Sequence, residues 1–231
     1  MITDNAKTAS AREARQLLRA HRYGALCTLS KKFDGHPFGS ITPYLVNHDG
    51  SLLILISTLA EHTKNIQNDS RVSLITHNQE STHIQTQGRV TVLGSATIET
   101  DRDLIGRRYL RYFPEAQAYF AMHDFSFYRI VPQAIRFIGG FGNIKWVNAN
   151  DYVVPDYPLM AQEEDFISEM NTRHELELRR QTGQDRLEAE LVGVDMDGFD
   201  IRIGDRIVRI QSAVPILEKQ QAHLALTVKN H

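Results

Sequence analysis

Apolar and polar residues alternate in patterns that divide the first part of the chain into an opening helix and a series of strands. Residues 10–20 begin with a serine, carry a glutamate three residues later and continue into paired leucines, which is the capping-box pattern of a helix start. Residues 24–30 and 37–46 carry β-type sequence on both sides of an Asp-Gly turn and predict a hairpin. Pro37 and Pro43 lack a backbone donor, which favours an edge, a bulge or a strand end.

The next stretch, Ser51 to Asn68, changes from an apolar run into a helical pattern. Its first part is short enough for a buried strand and ends in two hydroxyl residues, Ser57 and Thr58. Helical spacing then places Thr58, His62 and Asn65 near one face of the first turns. A strand that leads into a helix N-terminus, with hydroxyls and an imidazole close by, suits an anion. Alternatively, Ser57 or Thr58 is only the N-cap and the other polar side chains are solvated, and both interpretations remain open.

Beyond this helix the sequence predicts further strands and one more helical segment. Residues 101–120 carry a helical pattern in which Pro114 opens a new segment. Gly88 and Gly94 mark possible bulges in a long β segment, and the glycine-rich residues 139–142 are expected to end the sheet in a flexible turn. The predicted strands are 71–76, 85–98, 127–131 and 134–138.

The pattern changes after residue 150. Residues 151–158 contain two prolines and no periodicity, so they predict a linker. The remaining residues predict a small α+β unit with a helix over 162–181, a strand over 187–194, a hairpin from 199–203 and 206–210, and a closing helix over 215–228. We therefore expect domains over 1–150 and 161–231, joined by a linker over 151–160.

The composition of the chain limits the classes of function that we expect. The chain has 231 residues and a formal net charge of -2, which gives no reason to expect nucleic acid or an anionic membrane surface as a partner. The single cysteine, Cys27, excludes an intrachain disulfide framework and a multi-thiolate metal site. No apolar run approaches the roughly 20 residues that span a bilayer, and the first thirty residues lack a signal-peptide pattern. These features together favour a cytoplasmic protein.

Local motifs for metal or nucleophilic chemistry are weak. The ten histidines include no HExxH pattern, and Asp195-Met196-Asp197-Gly198 fits a hairpin turn better than a calcium loop. The anion cradle has more support, because Ser40 and Thr42 project from one side of their strand and the preceding glycine allows close approach to the backbone. Arg89 on the long strand is a third possible contributor.

A set of motifs in a fixed order resembles the haem-utilisation (HugZ-like) branch of the pyridoxamine 5'-phosphate oxidase-like family. The resemblance covers about residues 8 to 150, and residues 169–174 and 194–199 are similar to a small α+β domain often fused to these proteins. The motifs are His36 to Ser40, Ser57 to Asn65, Arg71 to Leu74, Gly88 to Gly94, Arg108 to Leu110, Phe113 to Ala116, Asp124-Phe125 and Gly140-Phe141-Gly142. No single motif carries the resemblance; their order and spacing together do.

This resemblance implies a β-rich α+β protein: an antiparallel split β-barrel with flanking helices, plus the small C-terminal α+β domain. It also implies a homodimer with FMN in clefts between the subunits. The residues that would hold the FMN phosphate and ribityl chain are Ser57, Thr58, His62, Thr63 and Asn65. Ser40 and Thr42 would face the flavin or its ribityl chain, with Arg89 nearby.

One departure concerns haem. Haem-degrading members ligate iron through a histidine that follows the barrel, whereas here no histidine occurs between the glycine-rich turn and His174. His174 is therefore only a weak haem-ligand candidate, and a surface or interface role is the alternative. No other metal ligand is expected.

The leading hypothesis is an FMN-dependent oxidoreductase acting on a small molecule, in which the flavin carries the redox chemistry and the protein positions it. A haem-binding or haem-degrading protein of iron utilisation is the first alternative. A non-catalytic flavin- or haem-binding module is the second.

Overall fold

A computed structural model of the protein describes residues 2–78, 83–140, 143–154, 156–183 and 188–227. These residues fall into two compact units, Met1–Val153 and Val154–His231. None of the described helices combines the length and the apolar character needed to cross a bilayer.

The described residues of the first unit form five α-helices and eight strands. In chain order these are α1 (Ile2–Ala20), β1 (Tyr23–Leu29), β2 (Pro37–Pro43), β3 (Leu45–Val46), β4 (Leu52–Ser57), α2 (Glu61–Asn68), β5 (Arg71–His77), β6 (Arg89–Ile98), α3 (Arg102–Tyr112), α4 (Gln117–Phe120), β7 (Phe125–Ile138), β8 (Ile144–Asn148) and α5 (Ala149–Tyr152). The strands form one eight-stranded sheet in the order β2-β1-β5-β6-β7-β4-β3, with β8 paired to β7. Every pairing is antiparallel.

The sheet curves because the two halves of β7 pair with different strands. Its first half pairs with β4 and its second half with β8, while β6 runs along both halves. The register between β6 and β7 shifts between Leu93 and Gly94. A Cβ at Gly94 would lie 2.3 Å from the carbonyl oxygen of Val131, so only glycine allows this close approach.

Helix α1 packs on the inner face of the curved sheet. Its buried residues Ala11, Ala14 and Leu18 join the core formed by alternate residues of the strands. The two alanines bring the helix backbone close to the sheet, and burying a leucine such as Leu18 contributes about 1.5–3 kcal/mol. The core therefore lies between α1 and the inner sheet face, and the opposite face of the sheet is open outside β4.

Strand β4 is buried on both faces, as its uninterrupted apolar run predicts. Residues Leu52 to Ile56 are all buried. Beyond them, Tyr109 of α3 packs against Phe113 and Phe127, with ring centroids 4.6 and 5.1 Å apart. This cluster of three aromatic rings contributes about 0.5–1.5 kcal/mol per pair beyond area burial.

The second unit has its own sheet and core. Its elements are α6 (Glu163–Arg173), α7 (Glu175–Thr182), β9 (Ala189–Asp195), β10 (Gly198–Ile203), β11 (Arg206–Gln211) and α8 (Lys219–Thr227). The three strands are antiparallel in the order β11-β10-β9. The turn that connects β9 to β10 contains Asp195 to Gly198, which confirms the hairpin interpretation of that motif. A buried ion-pair cluster joins Arg209 to Asp195 and Asp200.

The predicted fold class is confirmed: an antiparallel half-barrel with flanking helices and an additional small sheet.

Several element predictions were wrong in detail. The sheet does not end at residues 139–142, because β8 follows, and 127–138 is one continuous strand instead of two. The helix predicted over 162–181 breaks at His174. Residues 37–46 form two strands separated at Tyr44, the β segment over 85–98 becomes a strand only at Arg89, and the last helix begins at Lys219. Residues 141 and 142 of the glycine-rich turn lie outside the described residues.

Candidate functional site

Ser57 and Thr58 stand at the end of β4, immediately before α2. Neither is the N-cap of the helix, because that position is Ala60, which has no side-chain capping bond. The Ser57 hydroxyl instead donates to Asp124 Oδ2 at 2.7 Å and accepts from the Leu59 amide at 3.1 Å. The N-cap interpretation is therefore wrong. The Ser57 hydroxyl fixes the corner, while Thr58 is exposed.

Thr63 and Asn65 are buried and bonded within the protein. The Thr63 hydroxyl donates to the Ser57 carbonyl at 2.6 Å. The Asn65 amide donates to Thr28 Oγ1 at 2.9 Å, and its oxygen accepts from the Lys31 amide at 2.9 Å. These bonds attach α2 to β1 and to the corner, so either side chain would have to give up a buried bond to reach a ligand.

Ser40 and His62 form the part of the predicted cradle that the fold brings into direct contact. Ser40 Oγ lies 3.2 Å from His62 Nδ1. His62 Nε2 is buried and has no hydrogen-bond partner among the described residues. Thr42 is on the same inner side of β2 and is buried, and its hydroxyl donates to the Pro43 carbonyl at 3.2 Å. An uncapped helix start, a hydroxyl and an imidazole therefore meet beside the edge strand.

Burial lowers the pKa of His62 below its ordinary value of 6.5. The unfolded chain then binds more protons than the folded one as the pH falls below 6.5, so this histidine reduces stability at acid pH. We expect His62→Gln to leave stability unchanged above pH 7 and to flatten its decline below pH 6.5. Urea unfolding followed at pH 5, 6 and 7 measures this. Identical pH profiles for the variant and the parent protein would contradict it.

Arg89 lies on the other face of the sheet. Along β6, Val90 and Val92 are buried in the core, whereas Arg89 and Thr91 point away from it. Ser40 is the register partner of Leu26, whose side chain faces the core, so Ser40 lies on the inner face of the sheet. Within one chain, therefore, Arg89 does not join Ser40 in a single site.

The open side of the sheet, here called the outer sheet face, is defined by Ile41, Leu93, Ile144 and Trp146 together with Arg89 and Arg136. Its four apolar members are exposed, Trp146 by 61%. The register places Arg136 opposite Trp146 and also opposite Thr91. The Arg136 guanidinium lies 5.1 Å from the centre of the Trp146 ring, which is cation–π geometry. Arg89 is on the same face, opposite Ile138.

A recess of about 270 Å³ adjoins this face at Trp146. Its lining includes Lys7, Lys145 and Asp151, and the Lys145 ammonium donates to Ser10 Oγ at 3.0 Å. The recess therefore places two lysine side chains and a carboxylate beside the Trp146 ring. Arg136 and Trp146 were not predicted from the sequence. The apolar residues at alternate positions of β8 could have indicated a strand with one exposed apolar side.

His174 lies in the second unit, at the end of α6. Its ring meets that of His223 edge to face, with centroids 4.6 Å apart, and its Nδ1 lies 3.9 Å from Glu177 Oε2. Among the residues that the structure describes, no group of three or more histidine, cysteine or acidic side chains is arranged to hold a metal ion. Nothing in these contacts distinguishes His174 as an iron ligand.

The fold and this face define an antiparallel half-barrel protein whose open sheet surface combines apolar, aromatic and cationic side chains. The sequence model of the CREG β-barrel family matches residues 5–154. The chain therefore belongs to the CREG β-barrel family, and the family resemblance found in the sequence is confirmed.

Three known proteins illustrate the relationship. The chain is similar to the chloroplastic haem oxygenase HOZ of Arabidopsis thaliana, with 29% identity over 178 residues, or 74% of this chain and 54% of that protein. It thus spans about half the length of this curated relative. The fold is similar to that of Atu2129 from Agrobacterium tumefaciens, with a TM-score of 0.79, 23% identity and 94% of each chain covered. It is also similar to a haem-binding protein from Mycobacterium smegmatis, with a TM-score of 0.58, 25% identity and 94% of each chain covered.

Proposed function

We propose that this protein binds haem on the outer sheet face, in a cleft between two copies of the chain, and acts in haem utilisation. The observation that carries the proposal is the contact between Arg136 and Trp146 within an exposed apolar surface. Haem is a flat apolar macrocycle with two carboxylates. Such a ligand needs aromatic and aliphatic side chains against its plane and cations at its carboxylate edge.

The residues of this face fit those needs. Trp146 and Ile144 would cover one side of the macrocycle and exclude water from it. Arg136 and Arg89 would orient the carboxylates through charge-assisted hydrogen bonds. Haem itself supplies the iron and the oxidisable ring. Relatives that are a haem oxygenase and a haem-binding protein support this ligand, and opening of the ring by oxygen and a reductant is the activity to assay. The cytoplasmic location expected from the sequence stays a prediction.

The second copy of the chain is the occupant proposed for the remaining outer sheet face. Ile41 and Leu93 lie on strands at some distance from Trp146 and are exposed, so a ligand at Trp146 alone would leave them in water. Burying such an apolar surface contributes about 25 cal/mol per Å². Sedimentation should give a dimer for the parent protein and a monomer for Ile41→Glu. A monomeric parent protein would rule the cleft out.

Haem binding is tested by titrating hemin into the protein and following the Soret band. We expect saturation at one haem per chain. Arg136→Ala should weaken binding by at least about tenfold, because a hydrogen bond to a charged group contributes about 1.5–3 kcal/mol and about 1.4 kcal/mol is a factor of ten. Arg71→Ala is the matched control, since Arg71 is an exposed arginine of the same sheet that pairs with Asp69. No Soret shift in the parent protein would refute the proposal, and equal affinities of the two variants would remove Arg136 from the site.

FMN is the second candidate ligand, favoured by the Ser40–His62 contact beside the uncapped start of α2. Backbone amides at a helix start bind phosphate groups well. If this candidate is right, the purified protein is yellow, quenches FMN fluorescence at micromolar concentration and oxidises reduced nicotinamides with oxygen. Ser40→Ala should then weaken FMN binding without changing the hemin titration. Stoichiometric cofactor without turnover would instead indicate a non-catalytic store.

A further inference from the structure

His77 is the last residue of β5 and the one described histidine that lies in a β-strand. It is half-buried, and its register partner across the strand pair is Arg89. Paired residues of antiparallel strands point to the same face, so His77 belongs to the outer sheet face. It therefore shares its surface with the cations and the aromatic ring of the proposed haem site.

The ring of His77 is oriented by a backbone contact. Its Nδ1 lies 2.8 Å from the carbonyl oxygen of Asn78. A carbonyl only accepts hydrogen bonds, so Nδ1 carries the proton and the neutral ring keeps its lone pair on Nε2. Histidines that bind metals have this arrangement, because donation from the second nitrogen to a carbonyl fixes the tautomer and raises the basicity of the ligating nitrogen.

We propose that Nε2 of His77 is the axial ligand of the haem iron, an inference that rests on the haem binding proposed above. Side chains stand roughly perpendicular to a sheet, so a flat ligand bound at Nε2 would lie along the outer sheet face. Arg89 is the partner of His77 on the adjacent strand, and neighbouring strands are about 4.8 Å apart. It is thus within reach of a macrocycle centred on His77. Arg136 and Trp146 follow on the next two strands of the same face. Trp146 is three strand spacings from His77, about 14 Å, so its ring would cover the outer edge of the macrocycle and not its centre.

The other histidines with described ring contacts suit this role less well. His62 Nε2 is buried, and its Nδ1 is engaged with Ser40. His174 packs against His223 in the second unit. His36 makes the same kind of contact as His77, with Nδ1 2.6 Å from the Phe33 carbonyl, but it lies in an exposed hairpin turn and not on the sheet. His36 is therefore a matched control.

The test compares ferric haem complexes of the parent protein, His77→Ala and His36→Ala by absorption and electron paramagnetic resonance. We expect His77→Ala to lose the histidine-ligated spectrum and to bind hemin at least tenfold more weakly. His36→Ala should match the parent protein. Adding imidazole to His77→Gly should restore the parent spectrum, because the free base replaces the missing ligand.

Binding of iron-free protoporphyrin IX, followed by its fluorescence, separates the axial ligand from the rest of the site. Its affinity should change less than about twofold in His77→Ala, since no iron bond is lost, and far-ultraviolet circular dichroism of the variant should match the parent. A parent-like ferric spectrum of His77→Ala would overturn the assignment of His77 and leave the haem proposal standing. Failure of the parent protein to bind either hemin or protoporphyrin would overturn both.

Discussion

Replacing Arg209 by alanine is expected to lower the free energy of unfolding of the second unit by about 3–5 kcal/mol. Arg209 contacts Asp195 at 2.6 Å and Asp200 at 3.1 Å, and all three side chains are no more than 5% exposed. Removing the guanidinium takes away the charge that contacts both buried carboxylates. Because the desolvation cost of these anions remains while their partner is lost, the effect should exceed that of any exposed ion pair.

The measurement is urea unfolding, followed by circular dichroism for the whole chain and by fluorescence for the first unit. The chain has one tryptophan, and Trp146 lies in the first unit. Arg209→Ala should shift part of the circular dichroism transition and leave the fluorescence transition in place. Arg202→Ala is the control: its bond to Glu190 is partly exposed at 3.3 Å, and its loss should cost less than about 1 kcal/mol. Equal effects of the two variants would contradict the prediction.

Gly94→Ala should destabilise the first unit by about 3 kcal/mol, at the upper end of the overpacking range. The added Cβ would lie 2.3 Å from the Val131 carbonyl oxygen, and both atoms belong to the backbone of paired strands. Neither can move without disturbing the register shift that bends the sheet. The midpoint of the Trp146 fluorescence transition reports this loss.

Gly39→Ala is the matched control for Gly94→Ala. A Cβ at Gly39 on the edge strand β2 would meet no atom within 4 Å. Its stability should therefore change by no more than about 0.5 kcal/mol. If Gly94→Ala were as stable as Gly39→Ala, the close contact would not determine the bend of the sheet.

The sequence correctly predicted the strands that bury only one face, because burial of one face makes apolar and polar residues alternate along the chain. Strands β1 and β5 are examples, with every second residue buried. Strand β8 was not predicted, because only Val147 of its five residues is buried and its sequence therefore lacks the pattern that burial of one face produces. Its pairing with β7 holds it in the sheet instead. The break at His174 was missed for a similar reason. No proline or glycine marks it, and the ring of His174 packs on His223, far along the chain.

The candidate site could be predicted only in part, because its chemistry depends on contacts between distant residues. The Ser57 hydroxyl looks available in the sequence, yet Asp124, 67 residues away, accepts its hydrogen bond. The separation of Ser40 from Arg89 depends on the register of three successive strand pairs. Local spacing did place Ser40 and Thr42 on one side correctly, since a strand fixes that relationship by itself.

The pairing of β4 with β7 also has a consequence for synthesis of the chain. Apart from the two residues of β3, the strand partner of β4 among the described residues is β7, which begins at Phe125. A growing chain would therefore hold the most apolar strand of the sheet without its main partner until the first half of β7 leaves the ribosome. Such an unpaired apolar segment is prone to aggregate. We therefore expect aggregation of incomplete chains to begin at β4.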